Sequence, residues 1–270
     1  MKRTTKTSQN TFSDDAYDNF IQNLEIPKLS DDKRDSLEGP LTFHECKKVP
    51  ETFQNDKAPG EDGFTAEFYI YIFDLLGNDL IASFNEADEV NEFTISQRRG
   101  VITLIPKEDG SLLELSNNWR PITLLNVDFN IAAKAIAKRL ESILPNLIQP
   151  DQTGFIIKGH SIEWPFIMTT LDYFNFGSDI KRWVSTFHTN IESTVLNNGF
   201  ATNWSKGVRQ GCPLSPYQFI LSAEILAHKI RQDPSYNGIK IFGNEVKLSL
   251  FADDINIFCA DLASVTWKGP

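Results

Sequence analysis

The sequence has few of the residues that build disulfide-rich domains or metal centres. Its 270 residues include three cysteines and four histidines, and Cys46, Cys212 and Cys259 lie far apart without metal-ligand spacing. This pattern favours free thiols in a reducing compartment. The basic opening MKRTTKTSQN is followed by TFSDDAYDNF rather than an apolar run, so we expect neither a targeting signal nor a membrane span. An intracellular location, nucleus or cytoplasm, follows as an expectation.

Basic residues are also in the minority. The chain has 26 Lys and Arg against 36 Asp and Glu, a net charge of -10. This balance argues against a general nucleic-acid-binding surface, because such surfaces neutralise phosphates with Lys and Arg. Local basic clusters occur at Arg98, Arg99 and Lys107, and again around Lys138 and Arg139. A solvated surface is the simpler interpretation of either cluster.

The apolar residues are sufficient for a sizeable core, since 41% of the chain is hydrophobic. Apolar periodicity, caps and breakers predict helices at about 66–84, 126–145, 163–174, 179–190 and from 215 onward, besides a short one that a Thr42 and Glu45 capping box begins. Strands are predicted in GVITLIP and ESTVLNNG, and in NGIKIFGNEVKLSLF as two strands joined at Gly243-Asn244.

Two adjacent acids stand out in KLSLFADDINIFCA, where Asp253 and Asp254 interrupt an apolar stretch and are predicted at the tip of a tight hairpin. Adjacent carboxylates repel each other, and a divalent cation relieves that repulsion. Asp is also a common turn residue. The spacing alone therefore leaves a turn and a metal site both open.

Longer motifs identify a resemblance. GVRQGCPLSPYQFILSAEILA followed by KLSLFADDINIF resembles the reverse transcriptase domain of non-long-terminal-repeat (LINE-type) retrotransposons. The similarity extends upstream through NDKAPGEDGFTAEFY, GVITLIPK, NNWRPITLLNVDFNIAAKAIAKRL and IQPDQTGFIIKG in the family's order. It implies an α+β fold, the fingers and palm of a right-hand polymerase with an antiparallel palm sheet. We expect a loosely ordered polar lead-in at 1–40, fingers and palm at 41–262, and a truncated tail at 263–270.

The resemblance implies roles for the hairpin residues. Asp253 and Asp254 match the catalytic, metal-binding positions, and the cofactor would be Mg²⁺. Phe251 matches the aromatic residue that precedes the pair near the primer end. RNA template and DNA primer would be the partners, and no membrane is involved.

Further matches lie outside the hairpin. Gly207, Gln210 and Gly211 match the loop that contacts the template and the incoming nucleotide. Glycine permits a close backbone approach, and the Gln210 amide can donate and accept hydrogen bonds. Lys107 and Arg120 match fingers positions that would contact the triphosphate, where Arg makes bidentate contacts and Lys supplies a point charge.

One part of the family pattern is missing. The chain passes from IIKGH to SIEWPF, and the segment between these motifs, with the partner aspartate and a central palm strand, is absent near 160–162. Asp151, Asp172 and Asp179 do not end apolar strands, and we interpret them as surface or cap acids. The palm is therefore expected to be incomplete, and no thumb follows it.

Three hypotheses remain from the sequence. The chain is an RNA-directed DNA polymerase domain by family that is inactive in this form, a gene-model fragment of an active element, or a remnant retained for binding nucleic acid or protein. The genomic sequence around the codons for 160–162 separates the first two, because an in-frame aspartate strand there favours a gene-model fragment. Salt-dependent RNA binding would favour the third.

Overall fold

Helices and small sheets alternate along the chain. The computed structural model describes residues 20–21, 23–106, 119–152, 162–197, 200–204, 209–251 and 254–261, with the backbone alone for 196–197 and 200–204. The helices are α1 (Asp31–Asp35), α2 (Phe43–Lys47), α3 (Ala66–Glu89), α4 (Ile95–Arg98), α5 (Val127–Leu147), α6 (Trp164–Tyr173), α7 (Ser178–Thr186) and α8 (Ser215–Gln232). The strands are β1 (Arg99–Pro106), β2 (Trp119–Leu125), β3 (Glu192–Asn197), β4 (Phe200–Trp204), β5 (Ile239–Ile241), β6 (Asn244–Val246), β7 (Leu248–Phe251) and β8 (Asp254–Ile257).

Helix α5 forms the centre of the main core. Its small and branched apolar residues, among them Ala132, Ile136 and Leu140, are buried on several sides, which allows α2, α3 and α8 to pack closely around it. The sequence predicts an end at Pro145, whereas the helix continues to Leu147. Burial of Leu147 in the core compensates for the backbone hydrogen bond that Pro145 cannot donate.

The largest sheet has four strands in the order β2-β1-β3-β4. Strand β1 pairs antiparallel with β2 and parallel with β3, while β3 and β4 are antiparallel. The helices α5 to α7 lie between β2 and β3 in the chain and form the long crossover that a parallel pair requires. The structure is therefore mixed α and β, as expected, but this sheet is not purely antiparallel.

The remaining strands form two separate hairpins. In β5–β6 the turn residues are Phe242 and Gly243, with φ of 48° and 83°, so the turn lies one residue before the predicted one. Two consecutive positive φ values are typical of the type I′ turn that matches the twist of the strands. In β7–β8 Phe251 pairs with Asp254, which confirms the predicted second hairpin.

Part of the predicted lead-in packs into the core. Ile21, Leu29 and Leu37 are buried with the residues of α5. We expected a loosely ordered segment here, whereas these residues pack into the core. Its few apolar residues are spaced far apart and show no periodicity, which is why the sequence did not indicate their burial. Residues 1–19 and the tail at 262–270 lie outside the described residues.

Arg139 of α5 fastens this segment to the core. Its guanidinium donates to the backbone carbonyls of Leu37, Gly39 and Pro40 and pairs with the Glu45 carboxylate at 2.7 Å. Burial raises the pKa of Glu45, but Arg139 and the hydrogen bonds from Thr42 together outweigh burial, so that the net pKa lies below its usual value. The sequence suggested a solvated basic face for Arg139, whereas its side chain links segment 37–45 to α5.

We predict that Arg139→Met lowers the free energy of unfolding by about 2–3 kcal/mol, because three carbonyls and one carboxylate lose their partner. Lys138→Met is the control, since Lys138 makes no hydrogen bond or ion pair with residues that the structure describes. Urea unfolding at pH 7 measures the effect.

Acid should reduce the difference. The lowered folded pKa of Glu45 contributes stability above its unfolded value, about 4.5, and this contribution is lost as the pH falls through the folded pKa. Equal stability of the Arg139→Met and Lys138→Met variants at pH 7 would contradict a stabilising role of Arg139.

Candidate active site

The loop at 209–211 lies directly against β2. The Thr123 amide donates to the Gln210 carbonyl at 2.8 Å, and Gly211 has φ of +120°. A Cβ on Gly211 would lie 2.4 Å from the Thr123 carbonyl oxygen, so only glycine fits there. Arg120 lies three residues before Thr123 on the same strand, with an exposed side chain. The loop that carries Gln210 and Gly211 therefore lies against the strand that carries Arg120. These three residues form the first group of predicted site residues.

Arg209, which the sequence reasoning missed, anchors this loop. It is 7% exposed, and its Nη2 donates to the carbonyls of Arg98, the last residue of α4, and Glu192, the first residue of β3. Its guanidinium lies over the Phe129 ring, 5.6 Å from the centroid. Burial lowers the pKa of Arg209 to about 10. The only signal in the sequence was its position beside Gln210.

The β7–β8 hairpin carries the second group. Leu248 and Leu250 of β7 are buried against the end of α8, whereas Phe251 is 47% exposed and Asp254 is exposed at the start of β8. The hairpin therefore presents Phe251 and Asp254 to solvent at its turn. Three predicted site residues, Lys107, Gly207 and Asp253, lie outside the described residues.

An ion-pair network fixes the hairpin to the body of the protein. The Leu250 amide donates to the Asp151 carbonyl at 2.9 Å, and the carboxylate of Asp151 binds Arg231 at 2.5 and 3.0 Å. Arg231 also donates to Glu224, which is fully buried, at 2.7 Å. Burial raises the pKa of Glu224, and the contact with Arg231 opposes that rise. Segment 151–152 is thereby held against the outer edge of β7.

Helix α8 connects the two groups. At its first residue the Ser215 hydroxyl donates to the Arg209 carbonyl at 3.0 Å, and near its last residues Arg231 binds Asp151. The sequence predicts Ser215 as the N-cap, whereas the cap is Leu214, one residue earlier. One rigid element thus positions both the loop and the hairpin.

The three acids considered as replacement ligands are all paired within the protein. Asp151 binds Arg231, Asp172 binds Lys181 at 2.6 Å, and Asp179 binds Arg182 at 3.1 Å. Across the described part of the chain no three His, Cys, Asp or Glu side chains form a group that could hold a metal ion. Asp253 lies outside those residues.

Among the residues that the structure describes, no strand pairs with the outer edge of β8. All four of its residues are exposed, with Ile255 at 40% and Ile257 at 43%, and in the described residues it pairs with β7 alone. The other edge of the hairpin is covered, since Leu250 of β7 bridges to Gln152. Within the described segments no helix combines the length and apolar character needed to cross a bilayer.

Comparisons with known proteins agree with these motifs. The sequence model of the family described as "Reverse transcriptase (RNA-dependent DNA polymerase)" matches residues 158–266. The "Transposon TX1 uncharacterized 149 kDa protein" of Xenopus laevis is 30% identical over 278 residues, covering 89% of this chain and 21% of the relative. The "Retrovirus-related Pol polyprotein from type-1 retrotransposable element R2" of Popillia japonica is 27% identical over 191 residues, covering 57% of this chain and 26% of the relative. The chain thus spans about a quarter or less of the length of these two relatives.

Both alignments are longer than the part of this chain that they cover. For the TX1 relative, 89% of 270 residues is about 240, so about 38 of the 278 aligned positions have no residue here. For the R2 relative, 57% is about 154, which leaves about 37 of 191. The two relatives therefore contain similar amounts of sequence that this chain lacks.

We predict that Gly211→Ala destabilises the protein by at least about 2 kcal/mol more than Gly243→Ala, as measured by urea unfolding. Both glycines have positive φ, but a Cβ at Gly243 meets nothing within 4 Å, so the difference isolates the contact with Thr123. Equal effects of the two substitutions would contradict the close approach of the loop to β2.

We further predict that Arg231→Met costs about 3–5 kcal/mol, because it leaves the buried Glu224 carboxylate without its cation. Hydrogen exchange at the Leu250 amide should accelerate, since segment 151–152 loses its anchor. Adding Glu224→Gln should recover part of the loss by removing the buried charge. Lys240→Met, at an exposed position of β5, is the control. A cost below about 1 kcal/mol would show that the network does not hold the hairpin.

Proposed function

The chain belongs to the reverse transcriptase domains of non-long-terminal-repeat retrotransposons, and from this premise we propose that it is a catalytically inactive form of an RNA-directed DNA polymerase domain. The open outer edge of β8 carries the proposal. It is the position at which a further strand of this sheet would pair, and the described residues place none there.

The chemistry explains why that edge matters. Nucleotidyl transfer in this family uses divalent metal held between carboxylates, and two metal ions need acids from more than one strand. In the sequence the hairpin contributes the adjacent acids Asp253 and Asp254, of which the described residues include Asp254, exposed at the start of β8. Acids from one hairpin alone do not fit a two-metal Mg²⁺ site, which needs acids from more than one strand.

The three acids considered as replacements, Asp151, Asp172 and Asp179, are each held by a cation of the protein. Asp151 contacts the hairpin through its carbonyl, which accepts from the Leu250 amide, but its carboxylate is held by two hydrogen bonds from Arg231. Releasing it toward a metal would leave Arg231 and the buried Glu224 network unbalanced. Asp172 and Asp179 are engaged by Lys181 and Arg182 on helix surfaces.

The alignments support a deletion of the right size. About 37 to 38 aligned positions without a residue in this chain are enough for a strand and its connections. The break in the motifs near 160–162 is where we place this segment. The loss would remove the aspartate strand that borders β8 and leave the rest of the core intact.

The residues proposed to contact substrate are retained. Arg120 and Lys107 would bind the triphosphate, Gln210 and Gly211 would lie against template and nucleotide, and Phe251 would lie near the primer end. Arg120 and Phe251 are solvent-accessible, which suits these roles. We propose that the chain keeps contacts for RNA template and DNA primer while lacking the second acidic strand.

Primer extension tests the proposal. The purified chain, given an RNA template, a DNA primer, deoxynucleotides and Mg²⁺, should show no extension above that of the Asp253→Ala variant. Template-dependent incorporation that Asp253→Ala abolishes would overturn the proposal. If Asp151→Asn abolished it as well, Asp151 would be the replacement ligand.

A restored chain provides the complementary measurement. Inserting the corresponding segment of the TX1 relative between His160 and Ser161 should yield extension that depends on Asp253. The same segment with its strand-ending aspartate changed to asparagine is the matched control, because it restores the strand without the carboxylate. Extension by both inserted chains would place the defect elsewhere.

A further inference from the structure

The outer edge of β8 presents a defined set of backbone groups. Phe258 donates to the Lys247 carbonyl at 2.9 Å, and Leu248 pairs with Ile257. Hydrogen-bonded and non-hydrogen-bonded pairs alternate in an antiparallel ladder, so the N–H and C=O groups of Ile255 and Ile257 point away from β7. The Leu250 amide, opposite Ile255, agrees with this alternation, because it points to Asp151 and not to β8.

The side chains at this edge are apolar on one face. Ile255 and Ile257 lie opposite Leu250 and Leu248, so the four share the face that α8 covers. Helix α8 buries the two leucines to 1% exposure but leaves the isoleucines 40% and 43% exposed. The apolar face of the hairpin therefore extends beyond its cover.

This edge has only part of the usual protection against pairing, namely its length of four residues and the charge of Asp254. Natural edge strands also use lysine, proline or a bulge to prevent another strand from adding. Strand β8 reads Asp-Ile-Asn-Ile and pairs in regular register with β7, without lysine, proline or bulge. The outward backbone groups and the isoleucine side chains of β8 can therefore contact the same added strand.

We infer that β8 pairs antiparallel with β8 of a second copy of this chain, about a two-fold axis through Asn256. In this register Ile255 lies opposite Ile257 of the partner, so the four outward N–H groups find four outward carbonyls. The four isoleucines form one apolar cluster between the two α8 helices. The inference rests on the geometry of β8 and is independent of the proposed function.

Charge and symmetry favour a second copy over other occupants. The register places Asp254 opposite Phe258 of the partner, so no like charges meet. Self-pairing covers the outer edge of β8 in each of the two copies. The other edge of each hairpin, along β7, is already covered by segment 151–152. The assembly closes at two copies instead of growing into a fibre.

Cysteine cross-linking tests the register. Across the axis the two Asn256 Cα atoms would be about 4.5 Å apart, within the range of about 4.4–6.8 Å for a disulfide. In a Cys259→Ser background, Asn256→Cys should give a disulfide-linked dimer under mild oxidation. Asp254→Cys is the matched control, because its two copies would lie about 14 Å apart and should not link. Equal linking of both variants, or of neither, would overturn the register.

Light scattering on the full chain tests the dimer itself. We expect a concentration-dependent dimer that Ile255→Lys with Ile257→Lys weakens at least about 100-fold, because lysines face each other across the axis. Ile255→Lys with Ile257→Glu should weaken it far less, since each lysine then faces a glutamate. A wild-type chain that stays monomeric, or equal effects of the two double variants, would overturn the inference. A monomer with slowly exchanging Ile255 and Ile257 amides would show that a segment of the same chain covers β8.

Discussion

Unpaired backbone groups at a strand edge must be hydrated, covered or paired, and this constraint acts on β8. Its outward N–H and C=O groups come with two half-exposed isoleucines, so water satisfies the backbone but not the side chains. The proposed loss of polymerase activity and the proposed dimer both follow from this edge. Activity is proposed to be lost because the strand that would add there carries the second acid. The dimer is proposed because a second copy of β8 can pair where that strand is missing.

Helix α8 explains how the remaining parts keep their positions. Its first residue holds the loop that contains Gln210 through the Arg209 carbonyl, and Arg231 near its end holds segment 151–152 against β7. These contacts do not pass through the outer edge of β8. A chain that lacks a neighbouring strand can therefore retain the loop, the hairpin and the core around α5.

Several predictions depended on local sequence and were confirmed. The Thr42 and Glu45 capping box begins α2, periodicity located α3 and α5, and the alternation around Asp253 and Asp254 predicted the β7–β8 hairpin. The errors arose where distant contacts decide. The segment 20–40 is packed because Arg139, about a hundred residues away, binds its carbonyls. The parallel pairing of β1 with β3, for which the sequence made no prediction, likewise depends on helices that return the chain to the same side.

The sequence alone determined the helix and hairpin positions and, through its ordered motifs, the reverse transcriptase family, since caps, periodicity and short motifs are properties of neighbouring residues. Tertiary structure alone decided that Arg209 anchors the loop at 209–211, that Asp151 is bound by Arg231 and that β8 pairs only with β7 among the described strands. The physical reason is that charge pairing, burial and strand edges depend on residues far apart in the chain, and no local pattern records which of them meet.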